Sequence, residues 1–238
     1  MTSGLALPFM ASSLSVRRAH AVVAIVSWLS VLLVAIVSAA DGFAARAVVE
    51  GNLFGTHTSG IAGAPGRIGD TFSYFTVWSN VVVAVAFTLL ALRPGVDSLV
   101  HRVLLLDALL MITITTIVYW AMLAANDTWQ GWSVITSPLQ HLVVGVLAVG
   151  VWATYGPRGW LSFRLLPWAL VVPLIWIVWT LLRGQVIDAY PYDFTDVSTL
   201  GYARVAATLA AILAIGLLIA AIYCRIDRAL ERRSPKRA

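Results

Sequence analysis

The chain has 238 residues, of which 60% are hydrophobic and only 11% are charged, and its formal net charge is +5. Soluble domains carry a charge on roughly a quarter of their residues, so this composition excludes a soluble globular protein. We predict an integral membrane protein that forms one transmembrane domain over residues 1–238. The single cysteine, Cys224, excludes an internal disulfide.

Six apolar stretches follow one another along the chain. Their continuous apolar runs lack the alternation of barrel strands, and lipid cannot satisfy the backbone of an open sheet. We therefore predict an all-α polytopic helical bundle with spans at about residues 20–40, 72–92, 103–124, 138–154, 164–182 and 201–224. The first span has basic and small-residue flanks like those of a cleaved signal, but its length favours a retained helix.

Basic residues are distributed unevenly over the predicted loops. The positive-inside rule predicts that both termini are cytoplasmic and that residues 41–70, 125–137 and 183–200 lie outside. The chain is thus expected to be a multi-pass protein of the cell membrane. Its pI of about 9.8 indicates attraction to anionic membrane lipids, and no nucleic-acid partner is expected.

The second span begins with the polar stretch FSYFTVWSN, residues 72–80. Ser73, Thr76 and Asn80 are spaced three and four apart, so they share one helix face, which should look into the bundle. The fourth span also enters from outside, which puts His141 at nearly the depth of Thr76, roughly 5 to 6 Å below the span start. Intramembrane polar groups should therefore concentrate in the outer leaflet. Helix packing by hydrogen bonds is the ordinary alternative for both residues.

A hydroxyl becomes a nucleophile when a neighbouring imidazole accepts its proton, and the imidazole can then protonate a leaving alcohol. Thr76 and His141 together therefore indicate acyl transfer or ester hydrolysis. Ser79 and Asn80 are candidate oxyanion donors. Further candidates for orienting His141, binding substrate or walling an apolar cavity are Tyr119, Trp120, Trp129, Trp132, Tyr190 and Asp193. The tyrosines of residues 190–202 alternatively form an interfacial aromatic belt.

Three other features lie away from this pair. Asp107, near the inner face, is expected to form a structural ion pair with Arg93, Arg102 or Arg164. His57 and His101 have no companions at metal-ligand spacing, so we expect neither a metal nor a cofactor. The loop sequence GTHTSGIAGAPGRIG predicts a flexible outer loop or lid.

Three short motifs occur in the order YFTVWSN, WQGWSVITSPLQH and YPYDF. Over most of residues 70–205 this order resembles the androgen-induced protein and ADTRP family and its bacterial six-pass membrane relatives. The resemblance implies a threonine hydrolase acting on long-chain esters, such as fatty acid esters of hydroxy fatty acids, with Thr76 as nucleophile and His141 as catalytic histidine. The alternatives are a non-catalytic protein that binds or transports a lipid or small amphiphile, and a structural subunit without a pocket.

Overall fold

A computed structural model of the chain describes residues 6–44, 51, 53, 57–125 and 127–233, with side chains from residue 14 onward. Six helical segments in this part of the chain are long and apolar enough to cross a membrane: Leu14–Ala39, Phe75–Leu92, Leu99–Leu123, Ser133–Tyr155, Phe163–Ile187 and Tyr202–Arg233. The described residues contain no strand beyond an isolated bridge between Phe43 and Gly131. The all-α, multi-pass prediction is confirmed.

The α-helices are α1 (Ala6–Ala39), α2 (Ala64–Thr71), α3 (Phe75–Leu92), α4 (Leu99–Val118), α5 (Ser133–Pro138), α6 (Val144–Tyr155), α7 (Leu166–Ala169), α8 (Val171–Ile187), α9 (Val197–Leu200) and α10 (Tyr202–Arg233). A π-helical turn, Tyr119–Leu123, extends α4, and another, Leu139–Val143, joins α5 to α6. Short 3₁₀ turns lie at Ile61–Gly63, Phe163–Leu165 and Asp193–Thr195.

Helices α3 and α4 form the centre of the bundle and pack against each other, with α1 against α3 and both α6 and α10 against α4. Their contact faces are apolar, and Val83, Phe87, Leu106 and Leu109 are completely buried. Helix α10 presents most of its surface outward, as expected for a helix that faces lipid.

Buried hydroxyls and an amide join the central helices. Ser30 on α1 donates a hydrogen bond to Oδ1 of Asn80 on α3 (3.3 Å), and Ser79 on α3 bonds Thr115 on α4 (2.7 Å). Such bonds hold membrane helices together where apolar contacts alone give little preference for one neighbour. Ser79 and Asn80 therefore join neighbouring helices, which is the packing alternative.

The predicted flexible outer loop contains ordered helix. Residues 64–71 form α2, and Arg67 holds it to the end of α1 by donating to the carbonyl oxygens of Ser38 and Ala39. The same guanidinium donates to the carbonyls of Thr58 and Gly60. One side chain thus satisfies four backbone acceptors, and residues 61–71 of the predicted loop are helical.

The expected ion pair of Asp107 is also wrong. Asp107 is completely buried, and neither of its carboxyl oxygens has a hydrogen-bond partner among the described residues. Arg102 pairs instead with Asp97 in the loop before α4. Asp107 lies eight residues into α4, about 12 Å along its axis, which is too deep for an arginine that already has a partner at the surface.

Buried polar groups also occur at this inner end of the bundle. His20 on α1 is buried in edge-to-face contact with Phe87, and Asp227 on α10 is buried and accepts from the backbone N–H of Leu161. Buried polar groups are therefore more numerous at the predicted outer end, but they are not confined to it.

Candidate active site

Thr76 lies in the first turn of α3, and its side chain is 7% exposed. The chain enters the helix from an extended residue, Tyr74, so the preceding carbonyls have no partners inside the helix. Two indole N–H groups satisfy them: Trp78 donates to the carbonyl of Phe72 (2.7 Å), and Trp176 on α8 donates to that of Ser73 (2.9 Å). These bonds fix the position from which the Thr76 hydroxyl points inward.

His141 lies in the π-helical turn that follows Pro138, and its Nε2 is 3.3 Å from Oγ1 of Thr76. Its other ring nitrogen, Nδ1, is 2.9 Å from the backbone carbonyl oxygen of Ser137. A carbonyl only accepts, so Nδ1 must hold the proton, and the lone pair of Nε2 faces Thr76. The Thr76 hydroxyl therefore donates to His141, and the predicted proximity of these two residues is confirmed.

Tyr119 packs against one face of the His141 imidazole. Its ring stacks on that of His141, with centroids 3.8 Å apart and an interplanar angle of 12°. The Tyr119 hydroxyl donates to Oδ2 of Asp127 and accepts from the indole of Trp129, both at 2.8 Å. Ser137, whose carbonyl orients His141, also donates its hydroxyl to Asp127 Oδ2 (3.2 Å). Asp127 thus connects the two groups that fix the imidazole.

Both residues of this stack lie in π-helical turns, Tyr119 in the turn after α4 and His141 in the turn after α5. A π turn widens the helix by one residue and changes the direction in which its side chains point, and such turns are frequent at functional sites. Pro138 lacks a backbone N–H, so the regular hydrogen-bond ladder is already interrupted where the second turn begins.

Tyr192 is the third polar group at the Thr76 hydroxyl, with its own hydroxyl 3.5 Å from Oγ1. Its ring stacks on Phe194, with centroids 5.0 Å apart, and meets Tyr74 edge-on at 5.6 Å. Burial raises the pKa of Tyr192, against a smaller opposite effect of the hydrogen bond between its hydroxyl and Thr76. The phenol therefore remains a hydrogen-bond donor at neutral pH.

Three of the candidate residues face elsewhere. The Ser79 hydroxyl is engaged with the Phe75 carbonyl and Thr115. The Asn80 amide donates to the backbone carbonyls of Thr76 and Gln140, so it joins the segments that carry Thr76 and His141 but has no donor left for a substrate. Trp120 is 48% exposed, in edge contact with Tyr119, and lines no part of the cavity.

The segment 190–194 supplies a different residue from the one predicted. The Tyr190 ring packs closely against Gly184 of α8, where any side chain would collide with it, and its backbone N–H donates to the carbonyl of Gly51. Asp193 is exposed at the cavity edge. Tyr192, the extended residue before the 3₁₀ turn Asp193–Thr195, is instead the tyrosine whose hydroxyl reaches Thr76.

A cavity of about 920 Å³ contains the pair and opens toward the predicted outer end. Its lining is mixed, which differs from the expected apolar cavity; the polar lining residues include His57, Arg67, Asp70, Thr76, Asp127, Gln140, His141 and Tyr192. The tryptophans Trp129 and Trp132, expected to wall it, are partly exposed and do not line it.

Charged residues at the cavity mouth form a small network. Asp70 on α2 accepts from Arg183 on α8 (2.6 Å), and its other oxygen is 2.9 Å from Nε2 of His57. Arg183 also donates to the hydroxyl of Ser73 (3.0 Å). The network therefore ties α2 and α8 to the turn that precedes Thr76.

Family models, curated proteins and solved structures contain no match to this chain. In the part of the chain that the structure describes, no three histidine, cysteine, aspartate or glutamate residues converge as a metal site. The site must therefore be interpreted from its own geometry.

Proposed function

We propose that this protein is an intramembrane lipid-ester hydrolase with Thr76 as nucleophile and His141 as general base. The observation that carries the proposal is the directed chain of hydrogen bonds in which Thr76 donates to Nε2 of His141 while Nδ1 of His141 donates to the Ser137 carbonyl. A packing histidine needs no particular tautomer, whereas a base must present a lone pair to the hydroxyl.

Acylation follows from these positions. Thr76 Oγ1 attacks the ester carbonyl carbon, its proton passes to His141 Nε2, and the carbonyl electron pair moves to oxygen. Tyr192, which in the free enzyme lies 3.5 Å from Oγ1, donates a hydrogen bond to this oxyanion. When the intermediate collapses, the alcohol leaves with the proton from His141, and the acyl group remains as an ester of Thr76.

Deacylation repeats the sequence with water. His141 accepts a proton from water as its oxygen attacks the acyl carbon, and the second oxyanion again accepts from Tyr192. Collapse expels the Thr76 oxygen, which recovers the proton from His141, and the free acid leaves. The imidazole of His141 is oriented by the Ser137 carbonyl and by the stacked ring of Tyr119. The Asp127 carboxylate does not touch the imidazole and affects it only by holding these two residues.

The surroundings favour a lipid substrate. Thr76 lies where the polar cavity meets an apolar groove lined by α4, α8 and α10, an arrangement that suits a carbonyl between a polar and an acyl part. The resemblance of YFTVWSN, WQGWSVITSPLQH and YPYDF to the androgen-induced protein and ADTRP family supports the same assignment. We further propose the cell membrane as its location and its lipids as the source of substrate.

Single-turnover and steady-state hydrolysis of p-nitrophenyl decanoate in nanodiscs tests the proposal. Thr76→Ala and His141→Ala should each lower kcat by about 10³-fold or more, and the double variant should be little worse than either one, because the two residues act in one step. Thr76→Ser should retain partial activity, since the hydroxyl remains while the methyl that restricts its rotamer is lost.

Thr154→Ala is the matched control. Its hydroxyl bonds only backbone carbonyls of its own helix, such as that of Gly150, at the other end of the bundle. Wild-type turnover by Thr76→Ala would exclude the nucleophile. Labelling of Thr76 by a fluorophosphonate, located by mass spectrometry, supports the hydrolase, while reversible ester binding without labelling or turnover would favour the lipid-binding alternative.

A further inference from the structure

A narrow apolar groove continues from the candidate site into the bundle. Five residues line both this groove and the larger cavity, and so mark their junction: Thr76, Tyr119, Leu123, Tyr192 and Phe194. Beyond the junction the lining is almost entirely aliphatic or aromatic. The groove therefore begins at the proposed reacting atom and leads away from every charged group of the cavity.

The groove has a defined inner end. Of its lining residues, Leu110 on α4, Leu170 before α8 and Gly216 on α10 are those farthest along each helix from the outer end. Leu110 lies nine residues before Tyr119, so the groove extends about 13 Å along α4. Carbon–carbon bonds of about 1.5 Å at tetrahedral angles advance an extended chain by about 1.25 Å per carbon. An extended chain of about ten carbons therefore matches the length of the groove.

Gly216 lets α10 pack closely against α4 at the inner end of the groove. A Cβ atom at this position would lie 3.0 Å from Cδ1 of Ile114 and 3.6 Å from Cδ1 of Leu110. Both neighbours are themselves groove-lining residues of α4. A larger side chain at this position would therefore displace Ile114 and Leu110, which would narrow the inner end of the groove.

We propose that the groove binds a single acyl chain and that Gly216, facing Leu110, sets its preferred length at about ten carbons. This inference rests on the proposed function, because it takes Thr76 as the position of the ester carbonyl. It adds a specificity: medium-chain acyl esters fit completely, whereas longer chains must bend or leave their ends outside the groove.

The experiment compares kcat/KM for p-nitrophenyl esters of four to sixteen carbons. Gly216→Leu should remove room for about three carbons, and at about 0.8 kcal/mol per buried methylene the ratio of C10 to C4 activity should fall roughly fiftyfold. Gly150→Leu is the matched control, because Gly150 on α6 is also a helical glycine but has no atom within 4 Å of its Cβ position. Its chain-length profile should equal that of the wild type.

Leu110→Ala changes the groove in the opposite direction. It also allows the inference to be tested if Gly216→Leu does not fold. Removing the Leu110 side chain should lengthen the groove and move the optimum to longer esters. A folded Gly216→Leu variant with the wild-type profile, or an unchanged optimum in Leu110→Ala, would overturn the inference.

A second readout separates this inference from the hydrolase. Decanoate esters with a diazirine at the end of the acyl chain should cross-link to α4 or α10 near Leu110 and Gly216, whether or not they are hydrolysed. Cross-links there without turnover by the wild type would overturn the hydrolase and retain the groove as a chain-binding site. Turnover with cross-links confined to the outer loops would overturn the groove instead.

Discussion

A single backbone carbonyl determines which nitrogen of His141 can act as a base. The Ser137 oxygen accepts from Nδ1, so the lone pair is on Nε2, on the Thr76 side. In the absence of that acceptor, the neutral imidazole would be free to adopt the other tautomer, in which Nε2 is a donor and cannot take the Thr76 proton. The carbonyl lies four residues before His141, at the point where α5 passes into the π-helical turn, so it is within reach of Nδ1.

At the residue scale, the first prediction concerns Tyr192. Tyr192→Phe keeps the ring between Phe194 and Tyr74 but removes the hydroxyl next to Thr76 Oγ1. If this hydroxyl donates to the oxyanion, kcat for a decanoate ester should fall about 10²-fold or more with little change in KM. Steady-state kinetics in nanodiscs measures both constants.

Tyr223→Phe is a suitable control, because it also removes a phenol hydrogen bond, to Thr113, but on the helix pair α10 and α4 away from the cavity. Its kcat should stay at the wild-type value. An unchanged kcat in Tyr192→Phe would refute the oxyanion assignment, whatever its effect on thermal stability.

The sequence was sufficient to predict that Thr76 and His141 lie at similar depth in the membrane. The start of each span and a rise of 1.5 Å per residue are sufficient to compare the two depths. The same count could not show which of Tyr190 and Tyr192 reaches Thr76, because both lie in an irregular segment outside the spans. Asn80 lies at the depth of the site, which made it a candidate donor. Its amide hydrogens are already bonded to two carbonyls, and only the structure shows this.

At the scale of elements, helix ends were harder to predict than helices. Hydropathy marks the part of a helix that lies in lipid, but α10 continues through RIDRALERR to Arg233, where polar residues are compatible with a helix in water. The two π turns were also invisible, because each requires only one extra residue and Pro138 alone does not specify one.

The second prediction concerns the segment that positions Tyr192. Asp196 caps the short helix α9, accepting from the backbone N–H groups of Ser198 and Thr199 and from both hydroxyls. Burial alone would raise the pKa of Asp196, but these hydrogen bonds outweigh it, so the pKa is lowered. Loss of this cap in Asp196→Ala should reduce stability at pH 7 by about 1 kcal/mol.

The sign of the pH dependence follows from the lowered pKa. The carboxylate contributes fully above its unfolded pKa of about 3.9, and this contribution is lost as pH falls through the lower folded value. The gap in melting temperature between wild type and Asp196→Ala should therefore be constant from about pH 7 to 5 and shrink below about pH 4. Asp193→Ala, at an exposed neighbour, should show no such gap. A gap that widens in acid would contradict the capping role.

At the scale of the whole molecule, the two ends of the bundle have different charge. The described inner loops contain mostly arginines, including Arg93, Arg102, Arg158 and Arg164, whereas the outer segments contain Asp41, Asp70, Asp127, Asp188, Asp193 and Asp196. From this asymmetry the positive-inside rule predicts that Thr76 and its cavity lie at the extracytoplasmic end. Substrate would reach the site from the outer leaflet, and a free acid would leave on the same side.

The last prediction tests this orientation by cysteine accessibility in a Cys224→Ala background. Ser59 lies in the loop between α1 and α2, and Val96 lies in the loop between α3 and α4; both are exposed. Because one span separates the two loops, they must lie on opposite sides of the membrane. In intact cells a membrane-impermeant maleimide should label the Ser59→Cys variant and leave the Val96→Cys variant unlabelled until the cells are permeabilised. The reverse pattern would move Thr76 to the cytoplasmic end, and the substrate would then have to come from the inner leaflet.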